Sequence, residues 1–213
     1  MKLHNYFRSS TSFRVRIALN LKGVTAEYLS YHLRKGEQRS AAYLKINPQG
    51  LVPTLELDNG DIIGQSMAIL EYLDETYPEP PLLPPDPAGR ARVRSLSYAI
   101  ACDIHPLNNL RVLGYLADPL GHDAAAVAEW FRHWVVVEFA ALEARLSSEP
   151  QTGEFCHGDT PTMADICLVC QVTNNQRFKV DMAHYPTINR IHESCMALES
   201  FARAAPMAQP DAE

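Results

Sequence analysis

Three consecutive hydroxyl side chains, Ser9, Ser10 and Thr11, lie where a short N-terminal strand is predicted to give way to a helix. A hydroxyl at that point can donate a hydrogen bond to an anion, and the free N–H groups and positive dipole end of the helix support the same anion. Arg8 and Arg14, on either side, add positive potential. The segment therefore suits a bound thiolate or carboxylate, although Ser and Thr are also the usual caps of an ordinary helix.

The net charge of the chain argues against some classes of binding partner. The chain of 213 residues carries 25 acidic and 19 basic side chains, a net charge of −6, which argues against the general basic surface of a nucleic-acid-binding protein. Fourteen of the basic residues are arginines, and arginine grips carboxylates in a bidentate fork better than lysine does. A codon bias explains this ratio equally well, so the positions of the arginines matter more than their number.

Several features indicate a cytoplasmic protein. No basic and then apolar leader precedes the first predicted strand, so we expect no signal peptide. No apolar run approaches the roughly 18 residues that cross a bilayer, so we expect no membrane span. The five cysteines are odd in number, which is typical of reduced thiols rather than of a disulfide framework.

A proline-rich connector divides the chain. Six of the ten residues from 78 to 87 are prolines, and such a segment forms neither a helix nor a central strand. We therefore predict a first domain over 1–80, a linker over 81–89 and a second domain over 90–213.

Hydrophobic periodicity predicts different structures on the two sides of the connector. Before it, the order is strand, helix, strand, helix, strand, strand, helix, which is a thioredoxin-like α/β layout. The strands are expected at 2–6, 26–32, 52–57 and 62–63, and the helices at 12–22, at 38–45 and from Ser66 onward. The first of these helices is predicted to be amphipathic, and Gly23 is expected to end it. After the connector nearly every segment is predicted to be helical, so the second domain is expected to be all-α.

Six ordered motifs run along the whole chain. Residues 9–19 match a signature that reads Ser-Ser-Cys-x-Trp-Arg-Val-Arg-Ile-Ala-Leu, with Thr11 in place of the cysteine and Phe13 in place of the tryptophan. The other motifs lie at 47–55, 65–73, 103–111, 158–165 and 176–181. Together they resemble the cytosolic glutathione transferases, and specifically the zeta class, which contains the maleylacetoacetate and maleylpyruvate isomerases. The resemblance implies the two-domain architecture of these transferases and a homodimer.

The resemblance also implies glutathione as the cofactor and suggests which residues bind it. By this resemblance, Ser9 is expected to be the hydroxyl that activates the glutathione thiol, with Ser10 and Thr11 beside it. Because an unperturbed thiol titrates near ~8.5, it needs such help to become a thiolate at neutral pH. The remaining candidates for contacts with glutathione are Gln38, Val52, Pro53, Gln65, Ser66, His105 and Asn109.

These glutathione candidates have structural explanations as well. Pro53, which resembles the cis-proline of the family, can equally be a strand-entry proline, and Ser66 can be a plain helix cap. A lone glutamine such as Gln38 is usually a solvated loop side chain. His105 and Asn109 are four residues apart and are predicted to share one helix face, where such a pair is often part of a satisfied core network.

Arg8, Arg111 and Arg177 are the candidates for binding the carboxylates of a substrate. Several guanidiniums together suit a dianion such as a maleyl keto-acid. A surface salt bridge is the alternative for each of the three. Some members of the class carry a small residue at the position of Arg111, which leaves the exact acid open.

The predicted activity is glutathione-dependent cis–trans isomerisation of a maleyl keto-acid. Maleylacetoacetate, from tyrosine breakdown, is the first candidate substrate, and maleylpyruvate, from gentisate breakdown, is the alternative. A general glutathione transferase, with conjugating or peroxidase activity, would use the same thiolate. A non-catalytic glutathione-binding module is a further alternative, because function does not follow from fold alone.

Two more motifs are assigned to folding. Thr162 and Asp165 have the spacing of a capping box at a helix start. Cys167 and Cys170 lie inside the same predicted helix and are expected to be two buried thiols rather than a redox pair. The eight histidines show no spacing typical of metal ligands, so no metal is expected.

Overall fold

The computed structural model describes all residues, 1–213, and the chain forms two compact units. The first unit comprises Met1–Pro81 together with Ala197–Glu213, and the second comprises Leu82–Met196. Residues 197–213, which we call the C-terminal tail, therefore belong to the first unit, whereas the sequence analysis grouped them with the helical domain.

A four-stranded sheet lies at the centre of the first unit. Its strands are β1 (Lys2–Asn5), β2 (Glu27–Ser30), β3 (Thr54–Glu56) and β4 (Ile62–Gly64). They lie in the order β2-β1-β3-β4, with β1 and β2 parallel and β3 antiparallel to both of its neighbours. This mixed sheet confirms the predicted thioredoxin-like fold.

Three helices accompany this sheet before the connector: α1 (Ser10–Lys22), α2 (Ala41–Ile46) and α3 (Ser66–Thr76). The helix expected over 38–45 is split, because a 3-10 turn over Glu37–Arg39 precedes α2. Ser40 separates the two by capping α2, since its hydroxyl accepts a hydrogen bond from the N–H of Tyr43 at 3.2 Å.

Helix α1 is buried almost all round, so the expectation of an amphipathic helix was wrong. Ten of its thirteen residues are buried, including Arg14 and Arg16. Helix α3 packs against it, and the C-terminal tail covers a further side, where the Asn20 side chain donates to the Ser200 carbonyl at 2.9 Å. A helix enclosed in this way has no solvent face to produce an amphipathic pattern. As predicted, Gly23 ends the helix in the left-handed conformation, at φ 64°.

The second unit is helical, which confirms the predicted all-α architecture. Its helices are α4 (Pro87–Tyr98), a π-helical continuation (Ala99–Ile104), α5 (Leu110–Ala117), α6 (Ala124–Ser148), α7 (Met163–Arg177) and α8 (Pro186–Met196). Helix α7 is central, with eleven of its fifteen residues buried. The C-terminal tail adds α9 (Glu199–Ala202) to the first unit. No helix in the structure combines the length and the apolar character that crossing a membrane requires.

Local capping explains where two of these helices begin. Asp86 caps α4 by accepting the N–H of Gly89 at 2.7 Å, so residues 87–89 of the expected linker form a helical turn. The predicted capping box of α7 is present: the Asp165 carboxylate accepts the N–H of Thr162 at 2.8 Å. It also accepts the N–H of Cys156 at 2.7 Å. Cys167 and Cys170 are buried and form no disulfide, as predicted for two structural thiols.

Candidate functional site

Ser9 is a helix cap and also presents a hydroxyl at the N-terminus of α1. Its backbone is extended, at φ −70° and ψ 117°, and its Oγ accepts the N–H of Ser12 at 3.1 Å. The N–H of Ser9 donates to the Tyr6 carbonyl at 3.0 Å, which fixes the turn between β1 and α1. The positive end of the α1 dipole and the Ser9 hydroxyl therefore act at the same point. Ser10 follows as the first residue of the helix and is buried.

Thr11 links this helix start to the turn at Val52. The Thr11 hydroxyl donates to the Val52 carbonyl at 3.1 Å, and the oxygens of Ser9 and Thr11 are 2.9 Å apart. A hydroxyl has one proton to donate, so with that of Thr11 directed at Val52, Ser9 is the donor in the Ser9–Thr11 contact. The Val52–Pro53 peptide is cis. The structure thus brings three of the sequence-predicted residues, Ser9, Thr11 and Val52, together in a single hydrogen-bonded group, and Pro53 follows directly.

The start of α3 carries the next two candidates. Gln65 precedes the helix with a positive φ of 68°, a conformation that is uncommon for a residue with a side chain and that is often found at functional positions. Its side-chain amide donates to the Gln49 side chain at 3.4 Å. Ser66 is the first helical residue and is buried, and its hydroxyl accepts from Nη1 of Arg14 at 3.3 Å. Gln65, rather than Ser66, therefore occupies the capping position.

Arg14 is a buried cation under this helix start. It is 1% exposed, and its Nε is buried without a hydrogen-bond partner. A buried guanidinium normally has its N–H groups paired with acceptors. The arrangement of Arg14, Ser66 and the N-terminus of α3 therefore suits a carboxylate. The sequence indicated only a general positive potential for Arg14, because its contact with Ser66 arises from tertiary packing that no local pattern reveals.

Gln38 is buried, whereas a lone loop glutamine is usually solvated. Only 8% of its surface is exposed, and its amide nitrogen donates to the Leu33 carbonyl at 3.4 Å. Its Oε1 is buried without a partner. The contact with Leu33 gives Gln38 a role within its own loop, and a contact with glutathione stays a prediction.

In the second unit, His105 and Asn109 contact each other, but they do not share a helix. The π-helix ends at Ile104 with His105 as its C-cap, and α5 is capped by Asn109, whose side chain accepts the N–H of Arg111 at 3.1 Å. A turn between them brings Nδ2 of Asn109 to 3.4 Å from Nε2 of His105. The predicted common helix face was therefore wrong, while the predicted proximity of the two side chains is confirmed.

The three candidate arginines are distributed over both units. Arg8 belongs to the first unit, and its Nη2 donates to the Glu213 carbonyl at 3.4 Å. Arg111 and Arg177 belong to the second unit and are exposed. Arg177 ends α7, and its Nη1 donates to the Asn174 side chain at 3.2 Å.

Within the second unit, Phe131 of α6 connects the segments that carry Arg111 and Arg177. The side chain of Asn108, in the turn before α5, donates to the Phe131 carbonyl at 3.1 Å. The ring of Phe178, directly after Arg177, stacks on the Phe131 ring with centroids 3.7 Å apart. Both segments are therefore anchored to one buried residue of α6. No three His, Cys, Asp or Glu side chains are grouped closely enough to hold a metal ion.

Comparison with known proteins identifies the family to which the chain belongs. Residues 8–76 match the model of the glutathione S-transferase N-terminal domain, and residues 125–199 match that of the C-terminal domain. A maleylpyruvate isomerase of Ralstonia sp. is 50% identical over 99% of both chains. The solved holo structure of a bacterial maleylpyruvate isomerase, a zeta-class transferase, is 50% identical with a TM-score of 0.98 over 100% of both chains.

A second solved structure is similar to this chain over its whole length. It is a maleylacetoacetate isomerase from Methylobacterium extorquens AM1 with bound malonate and glutathione, and it is 44% identical with a TM-score of 0.97 over 100% of both chains. These similarities extend through both units and through all six sequence motifs. The chain therefore belongs to the zeta class of the glutathione S-transferases, the family of the maleylacetoacetate and maleylpyruvate isomerases.

Proposed function

We propose that this protein is a glutathione-dependent isomerase that converts the cis double bond of a maleyl keto-acid into the trans isomer. In a chain of this family, the observation that carries the proposal is the Ser9 hydroxyl at the N-terminus of α1. A hydroxyl donor and a helix N-terminus together favour a thiolate over a thiol.

The residues of the first unit fit glutathione, a tripeptide with a thiol, free carboxylates and an extended backbone. Arg14 has an unpartnered buried Nε beside Ser66 at the start of α3, which suits a carboxylate. The backbone of Val52 suits strand-like pairing with an extended peptide. Ser9 suits the thiol end, because its hydroxyl lies next to the Val52 turn through Thr11.

In this proposal, Ser9 stabilises the negative charge on the glutathione sulfur. Its proton, directed at Thr11 in this structure, can be donated to a sulfur anion instead, and the N–H groups at the start of α1 favour the same charge. Both effects lower the pKa of a thiol bound there. When bound, glutathione supplies a thiolate that adds to the cis double bond and leaves after rotation about the resulting single bond.

Arg8, Arg111 and Arg177 bind the carboxylates of the acid. Exposed guanidiniums such as those of Arg111 and Arg177 are accessible to an anion from solution and can bind it in a bidentate fork. Holding both carboxylates restricts the acid to one orientation relative to the sulfur. We assign glutathione binding mainly to the first unit. Of the arginines proposed to bind the acid, Arg8 belongs to that unit and Arg111 and Arg177 belong to the second.

Two acids are the candidates for the substrate. Maleylacetoacetate would place the protein in tyrosine breakdown, and maleylpyruvate would place it in gentisate breakdown. The family includes relatives named for each acid, at 44% and 50% identity. The two acids differ in the keto-acid arm, so the relative rates of turnover distinguish them.

We further propose that the protein is a cytoplasmic homodimer. None of the five cysteines forms a disulfide, which is consistent with a reducing compartment. Helix α6 exposes Val136 and Val137, each nearly half accessible, and exposed apolar side chains of this kind are available for a second copy of the chain. Sedimentation equilibrium measures the mass in solution, and a monomer at all micromolar concentrations would refute the dimer.

The isomerase proposal is tested by the rate of isomerisation of each acid with and without glutathione, for the wild type and Ser9→Ala. We expect a glutathione-dependent rate on at least one acid and a loss of about 100-fold or more in Ser9→Ala, since an oriented hydrogen bond to a developing charge contributes about that much. Ser40→Ala is the matched control, because Ser40 caps α2 in the same way as Ser9 caps α1. It removes a cap worth about 1 kcal/mol without touching the site.

Arg111→Ala tests whether this arginine binds a carboxylate of the acid, and Arg203→Ala is the control for an exposed arginine. We expect the KM of the acid to rise in Arg111→Ala only. No glutathione-dependent rate on either acid in the wild type would refute the isomerase activity. Retained glutathione binding in that case would identify a transferase or a non-catalytic binding module.

A further inference from the structure

The C-terminal tail is hydrogen-bonded along its length to the first unit. Besides the contact between Asn20 and Ser200, Nε of the buried Arg16 donates to the Ala204 carbonyl at 2.9 Å. Near its end, Asp211 reaches the sheet and the loop before α1. The tail therefore contacts the same helix and loop that carry Ser9.

Both polar backbone groups of Phe7 are held by side chains from elsewhere in this unit. The N–H of Phe7 donates to Oδ2 of Asp211 at 3.1 Å, and its carbonyl accepts from Nη2 of Arg16 at 3.0 Å. The Phe7 ring is completely buried. Arg8 and Ser9 follow directly, so the position of the Phe7 peptide determines where these two side chains begin.

Asp211 also bonds to the neighbouring strand. Its carboxylate accepts hydrogen bonds from the Tyr28 hydroxyl and from the Ser30 hydroxyl, both on β2. Burial raises the pKa of Tyr28, and the hydrogen bond to Asp211 raises that pKa further, so the phenol stays a donor at neutral pH. One carboxylate therefore joins three donors, from β2 and from the loop before α1.

Glu213 adds two further contacts between the tail and the rest of the first unit. The Glu213 side chain lies 2.7 Å from Nε2 of His32, and the Glu213 carbonyl accepts from Arg8. The end of the tail is thus held on both sides of Asp211, by Arg16 and by the His32 loop.

We propose that Asp211 is a positioning residue for the loop that carries Arg8 and Ser9. Asp211 contacts neither glutathione nor the acid, and it acts by fixing the Phe7 peptide between β1 and α1. Only an acceptor can satisfy all three donors, and a carboxylate has the lone pairs to do so. This role rests on the proposed function of Ser9 and Arg8.

The test compares Asp211→Asn with Glu199→Gln. The amide that replaces the carboxylate in Asp211→Asn retains one acceptor oxygen but places an N–H₂ donor against existing donors. Glu199 lies on the same tail, and its carboxylate pairs only with the exposed Arg203. The readouts are amide hydrogen exchange at Phe7 and the pKa of bound glutathione, followed by the ultraviolet absorbance of its thiolate.

For Asp211→Asn we expect faster exchange at Phe7 and a rise of about one unit in the thiol pKa, a tenfold loss of thiolate preference. The value of kcat/KM for the acid should fall by up to about 100-fold, as for a small misplacement of a reacting group. Glu199→Gln should match the wild type in all three measurements. Wild-type exchange and thiol pKa in Asp211→Asn would overturn the proposal.

If Asp211→Asn does not fold, Tyr28→Phe decides the question. It removes one donor to Asp211 and leaves the carboxylate and the Phe7 bond in place, so we expect smaller changes in the same direction. No change in Phe7 exchange or thiol pKa in Tyr28→Phe would then overturn the proposal. An inactive wild type would refute the proposed function, while the exchange at Phe7 would still test the positioning role.

Discussion

Arg14 shows how one residue can serve binding at the expense of stability. A buried guanidinium with an unpartnered Nε has lost its hydration, and the hydroxyl of Ser66 replaces only part of it. A carboxylate at the start of α3 would supply the missing partner. Arg14 is therefore expected to favour the ligand-bound state over the free one.

We expect Arg14→Met to leave the free energy of unfolding unchanged or to raise it by about 1 kcal/mol, because an apolar side chain of similar size replaces a poorly paired buried charge. The affinity for glutathione should fall by at least about tenfold, as a charged hydrogen bond is lost. Urea unfolding and titration calorimetry measure the two quantities. A variant that loses stability but binds glutathione as the wild type does would contradict this account.

Some of the residue roles could be predicted from the sequence, and others could not. The hydroxyl run at 9–11 indicated both a helix cap and an anion site, and Ser9 does cap α1. The contact between Arg14 and Ser66 spans 52 positions in the chain, and that between Phe7 and Asp211 spans 204. Local periodicity carries no information about such distant pairs, since they arise only when the unit is packed.

At the scale of the elements, prediction succeeded where a local signal begins or ends a helix. Gly23 and the Thr162–Asp165 box are such signals, and both work as expected. The pattern misled at α1, whose polar residues are buried against α3 as well as against the C-terminal tail, and at 105–109, where a turn interrupts the helix. In both places the tertiary environment overrides the period of the sequence.

Glu149, at the end of α6, makes the stability of the second unit depend on pH. Its carboxylate accepts from Nε of Arg145 at 2.8 Å and from Nε of Arg92 at 2.6 Å. Chiefly through the hydrogen bond from Arg145, and also through Arg92, its pKa lies below the ordinary value of 4.5. A lowered pKa of an acid means that the folded state favours the charged form, so its stabilising effect is present above pH 4.5 and is lost as pH falls through the folded-state pKa.

We expect Glu149→Gln to lower the free energy of unfolding by about 1 kcal/mol at pH 7, the value of a partly exposed ion pair. The difference between the variant and the wild type should shrink steadily below pH 4.5. Urea unfolding at several pH values measures it, and Glu199→Gln, which breaks an exposed pair, is the control. A difference that stays constant from neutral to acid pH would show that packing, not charge, is responsible.

For the whole molecule, the net charge and the charge of the proposed site have opposite signs. A chain of net charge −6 repels a dianionic acid at long range, whereas the proposed substrate arginines, Arg8, Arg111 and Arg177, would attract it at short range. Salt screens both effects, because the Debye length falls from about 30 Å at 0.01 M to about 8 Å at 0.15 M. The sign of the salt dependence of kcat/KM shows whether the net charge or the three arginines control the approach of the acid to the protein.

We expect kcat/KM for the acid to fall several-fold over that range of salt, since charges close to a bound anion dominate its attraction. Arg111→Ala should flatten the dependence by removing one of the attracting charges. Initial rates at fixed, saturating glutathione measure the effect. A rise of kcat/KM with salt would mean that the overall negative charge controls association and that the arginines do not form an attracting site.

The composition of the first unit from two separate stretches of chain has a consequence for biosynthesis. Residues 1–81 leave the ribosome first, but the partners of Asn20, Arg16 and the Phe7 peptide lie in 197–213, at the other end of the chain. The helical unit is continuous in sequence, from 82 to 196, and precedes the tail in the order of synthesis. The first unit is completed only when residues 197–213 arrive, so the flank of α1 stays exposed to chaperones until then.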